Sequence, residues 1–433
     1  MKRLKVVTLG CSKNSVDTEH LLAQLPADAF SVADSGLDYL LLNTCGFIGD
    51  AKEESVNAIL EAVNAKKRGE TAKVVVFGCL SQRYPEELRK EIPEVDAWFG
   101  ARDLSPVIRY LGAEPGVYTD RFIMEPKGYA WLKISEGCDR RCSYCAIPFI
   151  RGAHKSVPME ELEEEARKLA SRGVKELILI AQDTTYYGLD LYGKRSLAGL
   201  LRRLSAIDGI EWLRIHYSYP ADFPEDVLEE MAVNPKVCKY LDIPLQHISD
   251  PVLDRMHRHV TSEWTRNLIA RLRKDVPGVV LRTTMIVGHP GEEEEDFNQL
   301  LEFVSQARFD RLGAFTYSEE EDTYAAIHYK DDVPADVKQE RYDRLMSLQE
   351  SISYECNRAR LGERTRVIVD SCEDGILVCR SQKESPEVDG EILVKYDPGL
   401  VGGLGPDELV GRFLNVEING ADSYDLSAEI ISL

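Results

Sequence analysis

A chain of 433 residues exceeds what one ordinary hydrophobic core supports, so two or three domains are expected. Its 44% hydrophobic and 29% charged residues fit a water-soluble globular protein, and the absence of any run of about 18 apolar residues excludes a transmembrane helix. A net charge of −21 disfavours nucleic-acid partners, which basic surfaces recognise, although acidity alone also serves solubility.

The N-terminus, Met1-Lys2-Arg3-Leu4-Lys5-Val6-Val7, runs straight into a strand pattern, so no signal peptide is expected and the protein is expected in the cytoplasm. Ten cysteines in such a chain read as reduced thiols serving as ligands rather than as a disulfide scaffold. Three apolar runs each end in one: Lys5–Cys11, Tyr39–Cys45 and Lys73–Cys79. Helical patterns follow at Val16–Leu25, Ala51–Lys67 and Pro85–Ile92. Buried runs alternating with helices predict a doubly wound parallel-sheet domain over residues 1–120. Ligands collect at the carboxyl ends of strands in such sheets, and Cys11, Cys45 and Cys79 all fall there. Any one of them alone reads as a buried core thiol; three at equivalent strand ends favour a shared ligand site. Gly10 and Gly78, each preceding a cysteine, permit positive φ or close backbone approach.

The next stretch, Ser135 to Pro148, holds Cys138, Cys142 and Cys145 in the spacing Cys-x3-Cys-x2-Cys. Thiolates so spaced can grip a cubane iron–sulfur core, and three of them leave one iron open to chelate a substrate. Zinc is the rival, but a structural zinc site takes four closed ligands, and no second paired knuckle exists here. Strands are expected at Tyr129–Ile134, Glu176–Ala181, Trp212–Tyr217, Tyr240–Pro244, Val279–Val287 and Arg311–Thr316, with helices between them. Six βα units over residues 125–355 predict a partial (β/α)6 barrel with its active face at the strands' carboxyl ends. Gln182, Asp183, His216, Ser218, Gln246, His247 and Arg282 are expected to line that face. Glu292–Glu295 reads as a solvated helix start.

A charged helix, Asp336–Arg360, leads to five short strands within residues 360–433, a pattern that fits a small β-barrel. From Arg360 to Leu433 seven basic residues face fifteen acidic ones, which suits a basic protein partner better than RNA. Cys238, Cys356, Cys372 and Cys379 read as structural thiols.

The Cys138–Cys145 motif resembles the signature of the radical S-adenosylmethionine (radical SAM) superfamily, and the tail is similar to a TRAM module. Together the three parts look like the methylthiotransferase family within that superfamily. The resemblance implies that Cys138, Cys142 and Cys145 hold a radical-generating [4Fe–4S] cluster that binds S-adenosylmethionine, and that Cys11, Cys45 and Cys79 hold a second [4Fe–4S] cluster carrying the sulfur to be donated. It implies that Tyr144 lies near the cofactor and that Thr284–Glu292, with Gly288 and Pro290, forms the loop that approaches the adenosine. With Gln182 and Arg282 these complete the expected cofactor-binding set. One S-adenosylmethionine would methylate the sulfur and another would supply a radical that removes hydrogen from an unactivated C–H bond. Ala181-Gln182-Asp183-Thr184, Pro244-Leu245-Gln246-His247 and Gly313–Ser318 resemble the RimO type, which modifies an aspartate of a basic small-subunit ribosomal protein. An electron donor such as a flavodoxin or ferredoxin is implied, and no membrane partner. The alternatives are the same chemistry on a transfer-RNA adenosine, which the acidic charge disfavours, and a zinc-stabilised binding module without activity.

Overall fold

The computed structural model describes residues 1–123 and 128–433, so the expected start of the central domain at residue 125 lies outside the described residues. The first sheet comprises β1 (Lys2–Thr8), β2 (Phe30–Val32), β3 (Leu37–Thr44), β4 (Thr71–Gly78) and β5 (Ala97–Trp98). Its order is β2-β1-β3-β4-β5, all parallel. Its three long strands are the apolar runs expected from sequence; β2 and β5 are too short to leave such a run. Leu41, Val75 and Phe77 pack on helices from one face, while Leu40, Leu42, Val74 and Val76 do so from the other. Burial on both faces is why the strands read as unbroken apolar runs rather than alternating ones. Strand order reverses between β1 and β3, and the crevice beyond a switch point of this kind is where doubly wound sheets bind ligands. Cys11 and Cys45 follow those two strands.

The second sheet comprises β6 (Tyr129–Lys133), β9 (Glu176–Ile180), β10 (Trp212–Ile215), β11 (Val237–Asp242), β12 (Val280–Val287) and β13 (Arg311–Thr316), all parallel in the order β13-β12-β11-β10-β9-β6. A two-residue ribbon, β7 (Ser135–Glu136) with β8 (Lys155–Ser156), closes the loop that carries Cys138, Cys142 and Cys145. This is the expected open six-stranded barrel. Leu177, Leu179, Leu213, Ile215, Leu241, Leu281 and Met285 face the surrounding helices in one continuous core. The opposite face carries the charged Glu176, Arg214, Asp242 and Arg282 and the Tyr240 hydroxyl.

That charged face is where the third unit docks. Strands β14 (Arg364–Glu373), β15 (Ile376–Arg380), β16 (Ile392–Lys395), β17 (Phe413–Ala421) and β18 (Leu426–Ser432) close into a barrel ordered β14-β15-β16-β18-β17. The segment between β15 and β16 enters the six-stranded sheet. Arg380 donates to Glu176 (2.8 Å), Arg214 donates to the Gln382 carbonyl (2.8 Å), and the Tyr240 hydroxyl donates to Asp389 (2.7 Å). His216 meets Ser385 at 2.8 Å. Burial opposes ionisation of Glu384 in the same segment, yet Arg360, Arg311 and the Ser381 hydroxyl hold its carboxyl at about 2.

Three expectations are corrected here. Arg282 is the third residue of β12, not a strand-end residue, and pairs with Asp242 (2.9 Å) and Asp389 (3.6 Å). It lies low in the strand because β12 starts level with the carboxyl end of β11, as the pairing of Asp242 with Arg282 shows. His216 faces the C-terminal unit rather than an open pocket. Glu292 is 4% exposed, not solvated: its carboxylate folds back to accept from the Gly288 and His289 amides and from Arg341. The helix begins two residues later, at Glu294, capped by Glu293 and Asp296.

Glu176 lies fully buried between the guanidinium groups of Arg214 and Arg380. Removing one partner of such a set leaves uncompensated buried charge, at a cost of about 3–5 kcal/mol. Glu176→Gln is therefore expected to lower stability by about that amount in equilibrium urea unfolding. An unchanged midpoint would contradict the assigned role.

Candidate active site

The N-terminal domain sits across the carboxyl mouth of the open barrel and touches both of its edges. At the β6 edge, helix Ser12–Ala23 packs Val16 against Trp131, Ile178 and Ile180. At the β13 edge, Glu320 accepts from Lys52 (2.9 Å) and Arg83 (2.7 Å). Both cysteine sets lie at this junction.

Cys11 caps helix Ser12–Ala23, Cys45 follows β3 directly, and Cys79 opens helix Cys79–Arg83. Glycines let their loops meet. A Cβ on Gly10 would lie 2.7 Å from the Cys45 Cβ, and one on Gly46 would lie 2.7 Å from the Leu80 Cα. Gly78 has φ +111° and ψ −161°, a conformation essentially confined to glycine. In the second set, the Cys138 amide donates to the Gly152 carbonyl (3.0 Å), and the Cys145 amide donates to the Cys142 carbonyl (3.1 Å). Gly137 again has positive φ, and a Cβ there would stand 2.1 Å from the Ala153 oxygen.

All six thiols are free. Burial pushes Cys79 up to about 11 and Cys138 up to about 12, and raises Cys45 and Cys145 as well. Such thiols keep their protons until a metal displaces them. Cations stand ready to donate to sulfur: Arg151 Nε lies 3.2 Å from the Cys79 Sγ and Arg258 Nη1 lies 3.4 Å from the Cys142 Sγ. Among the described residues no three His, Cys, Asp or Glu side chains close tightly enough to hold a single metal ion. A cubane takes each thiolate on a different iron, so its ligands stand wider apart. The all-sulfur donor set, the glycine cradles and the cationic donors fit an iron–sulfur cluster at each set.

The two sets are tied together through Arg151, which is 4% exposed. Its guanidinium donates to Asn14 (2.6 Å), Asp17 (2.8 Å) and Glu136 (3.1 Å) besides Cys79. Lys133 pairs with the same two carboxylates. Burial works against ionisation of Glu136, but Lys133 and Arg151 hold it at about 2. Cys79 also packs with Ala146 and Ile150, just beyond Cys145.

Of the other expected residues, Gln182 reaches the mouth: its Nε2 donates to Glu136 (2.6 Å) and its buried Oε1 has no partner among the described residues. Tyr144 is held beside Cys142, Cys145, Arg258 and Tyr219. Tyr219 lies between Arg140 and Arg258, with guanidinium carbons 4.1 and 4.3 Å from its ring centre. Asp183 accepts from Arg140 (2.7 Å). Gly288 and Pro290 are buried, with Gly288 against Lys338. His247 is buried, its Nδ1 accepting from the Ser249 amide (3.0 Å) and its Nε2 3.7 Å from Glu292. Sequence reasoning did not single out Lys13, Asn14, Asp17, Glu136, Arg140, Arg151 or Arg258. For all but Arg258 the signal available was a polar residue within a few positions of a cysteine, where an ordinary surface reading competes; Arg258 left no local signal.

Three family descriptions match the chain: Uncharacterized protein family UPF0004 over residues 3–100, Radical SAM superfamily over residues 132–304, and TRAM domain over residues 361–431. A radical S-adenosylmethionine methyltransferase, TsrM, from Kitasatospora setae shares the fold with a TM-score of 0.56 at 16% identity, over 91% of this chain and 82% of that one. The cobalamin-dependent radical enzyme OxsB aligns with a TM-score of 0.51 at 15% identity, over 81% of this chain and 56% of that one. Fold and site thus define a radical SAM protein. The protein named Ribosomal protein uS12 methylthiotransferase RimO is 53% identical in Porphyromonas gingivalis over 99% of both chains. Its namesake in Bacteroides thetaiotaomicron is 50% identical over 100% of this chain and 99% of that one. The chain belongs to the RimO family of radical SAM methylthiotransferases.

Gly78→Ala would place a Cβ 2.6 Å from the Thr44 backbone, in a conformation that L-residues avoid. The variant is expected to fold less stably and, after anaerobic reconstitution, to hold about half the wild-type iron, since one of two cysteine sets is displaced. Full iron content would show that this glycine does not shape the site.

Proposed function

We propose that this chain inserts a methylthio group at the β C–H of an aspartate in ribosomal protein uS12. The observation that carries the reading is Arg151, which fixes Cys79 of one thiol set against Glu136 at the root of the other. Cys138, Cys142 and Cys145 hold one [4Fe–4S] cluster, and Cys11, Cys45 and Cys79 hold the other. When bound, the two clusters and S-adenosylmethionine supply the electron, the radical and the transferable sulfur, chemistry that no side chain can provide for a C–H bond without acidity.

The protein's own residues hold and shield. Arg258 and Arg151 donate to sulfur and fix the ligand loops, as hydrogen-bonded outer groups do at metal sites generally. Tyr144 and the Tyr219–Arg140–Arg258 stack wall the mouth beside Cys142. The unpaired oxygen of Gln182 is available to a polar group of the cofactor. Gly288 and Pro290 shape the wall, since the Gly288 amide is taken by Glu292. Arg282 supports the sheet from below. We take residues 1–120, 125–355 and 360–433 as the sulfur-donor, radical and substrate-docking units. The acidic third unit suits a basic ribosomal protein, and a flavodoxin or ferredoxin in the cytoplasm supplies the reducing electrons.

The test is anaerobic reconstitution of Cys11→Ala and Cys138→Ala, with iron and sulfide counted and uS12 and transfer RNA offered separately. Each variant should lose about half the iron, because each cluster needs its own thiolates. The wild type should add the methylthio mass to uS12 and release methionine and 5′-deoxyadenosine. Modification of transfer RNA alone, or a colourless zinc protein, would overturn the reading.

A further inference from the structure

Lys13 is a buried cation two residues after Cys11 whose side chain forms no hydrogen bond or ion pair within the Arg151 cluster or the docking network among the described residues. It sits in the first turn of helix Ser12–Ala23, where the helix dipole disfavours a cation. It is 8% exposed, and buried lysines are almost always paired. Yet Lys13 forms no ion pair with a carboxylate among the described residues, while neighbouring Lys133 and Arg151 each hold two. Its ammonium instead stands 3.4 Å from the ring centre of Tyr217, at the carboxyl mouth of β10, within electrostatic reach of Cys11 and Glu136. It therefore stands beside the first thiol set, within reach of the carboxylate that precedes the second.

The ring beneath it is placed at some cost. Tyr217 adopts φ +56°, which a bulky side chain avoids. Three hydrogen bonds fix it there: its amide donates to the Asp242 carboxylate (3.0 Å), its carbonyl accepts from the Thr184 amide (3.1 Å), and the Ser218 amide donates to the Asp242 carbonyl (2.8 Å). Strained backbone of this kind persists only where the surroundings over-determine it, and it clusters at ligand sites. Here it holds an aromatic side chain against a cation that has no carboxylate ion pair among the described residues.

We infer that Lys13 is a specificity residue of the proposed site, its ammonium pairing with the side-chain carboxylate of the aspartate to be modified. The inference rests on the function proposed above and extends it to a named contact. The substrate carboxylate is anionic before and after methylthio transfer, so a fixed cation can grip it throughout. A site built around a charged partner also rejects the neutral isostere asparagine, because the buried ammonium would be left uncompensated.

The test uses the cluster-loaded full chain and two synthetic peptides of the uS12 segment, one with the target aspartate and one with asparagine in its place. Binding is read by fluorescence anisotropy without S-adenosylmethionine, and transfer by mass spectrometry. The wild type should bind the aspartate peptide about 10- to 100-fold more tightly than the asparagine peptide, the range of a hydrogen bond to a charged group. Lys13→Met should bring that ratio close to one with iron content unchanged, and Lys13→Arg should restore part of it. Retention of the aspartate preference by Lys13→Met overturns the inference alone. So does loss of about half the iron, which would make Lys13 a support for the Cys11 set. Failure of the wild type to modify the aspartate peptide overturns the proposed function, and this inference with it.

Discussion

The geometry of the molecule depends on one buried guanidinium. Arg151 ends the short helix that follows Cys145, and it reaches into the N-terminal domain to Asn14, Asp17 and Cys79. It also holds Glu136, two residues before Cys138. An arginine can serve this many partners because its planar group presents five donors in fixed directions. Burial makes the arrangement demanding: every partner must be in place, since an unmatched buried charge is costly. A polar constraint thus acts beside the apolar contact of Val16 with Trp131, Ile178 and Ile180 in setting the register between domains.

The C-terminal barrel is held by the same logic on the opposite side. Arg380, Glu384, Ser385 and Asp389 occupy the charged face of the six-stranded sheet, which would otherwise be a polar hollow. The radical SAM sheet is open, so its inner face needs two coverings. Helix Ser12–Ala23 supplies one near the mouth, and the β15–β16 segment supplies the other below it. Between them Lys13 meets Tyr217, and Gln182 meets Glu136 just before Cys138.

Much of this was legible in the sequence. Unbroken apolar runs such as Lys73-Val74-Val75-Val76-Phe77 identify doubly buried strands because burial on both faces erases alternation. The two cysteine sets stood out because thiols at strand ends and in a tight motif suit ligand chemistry, and Arg151 is found joining the two sets. Strands β2 and β5 were not, since three and two residues carry no period. Arg282 and His216 misled because a charged residue on a predicted strand suggests a cavity, while its partner, the Ser381–Glu391 segment, lies more than a hundred residues away. Glu292 misled because a run of four glutamates looks solvated, and nothing local reveals that Arg341 will reach the first of them. Lys13 stood two residues from Cys11 in plain view; its significance comes from its contact with Tyr217 and from having no carboxylate ion pair among the described residues, which only three-dimensional contact can show.

The central claim is that two three-thiol sets form one site, held in register by Arg151. Electron paramagnetic resonance of the reconstituted, reduced protein tests it most directly. The account predicts spin–spin interaction between the two reduced clusters in the wild type, replaced by an isolated single-cluster signal in either Cys45→Ala or Cys142→Ala. A wild-type spectrum equal to the plain sum of those two variants' spectra, with no interaction, would contradict it.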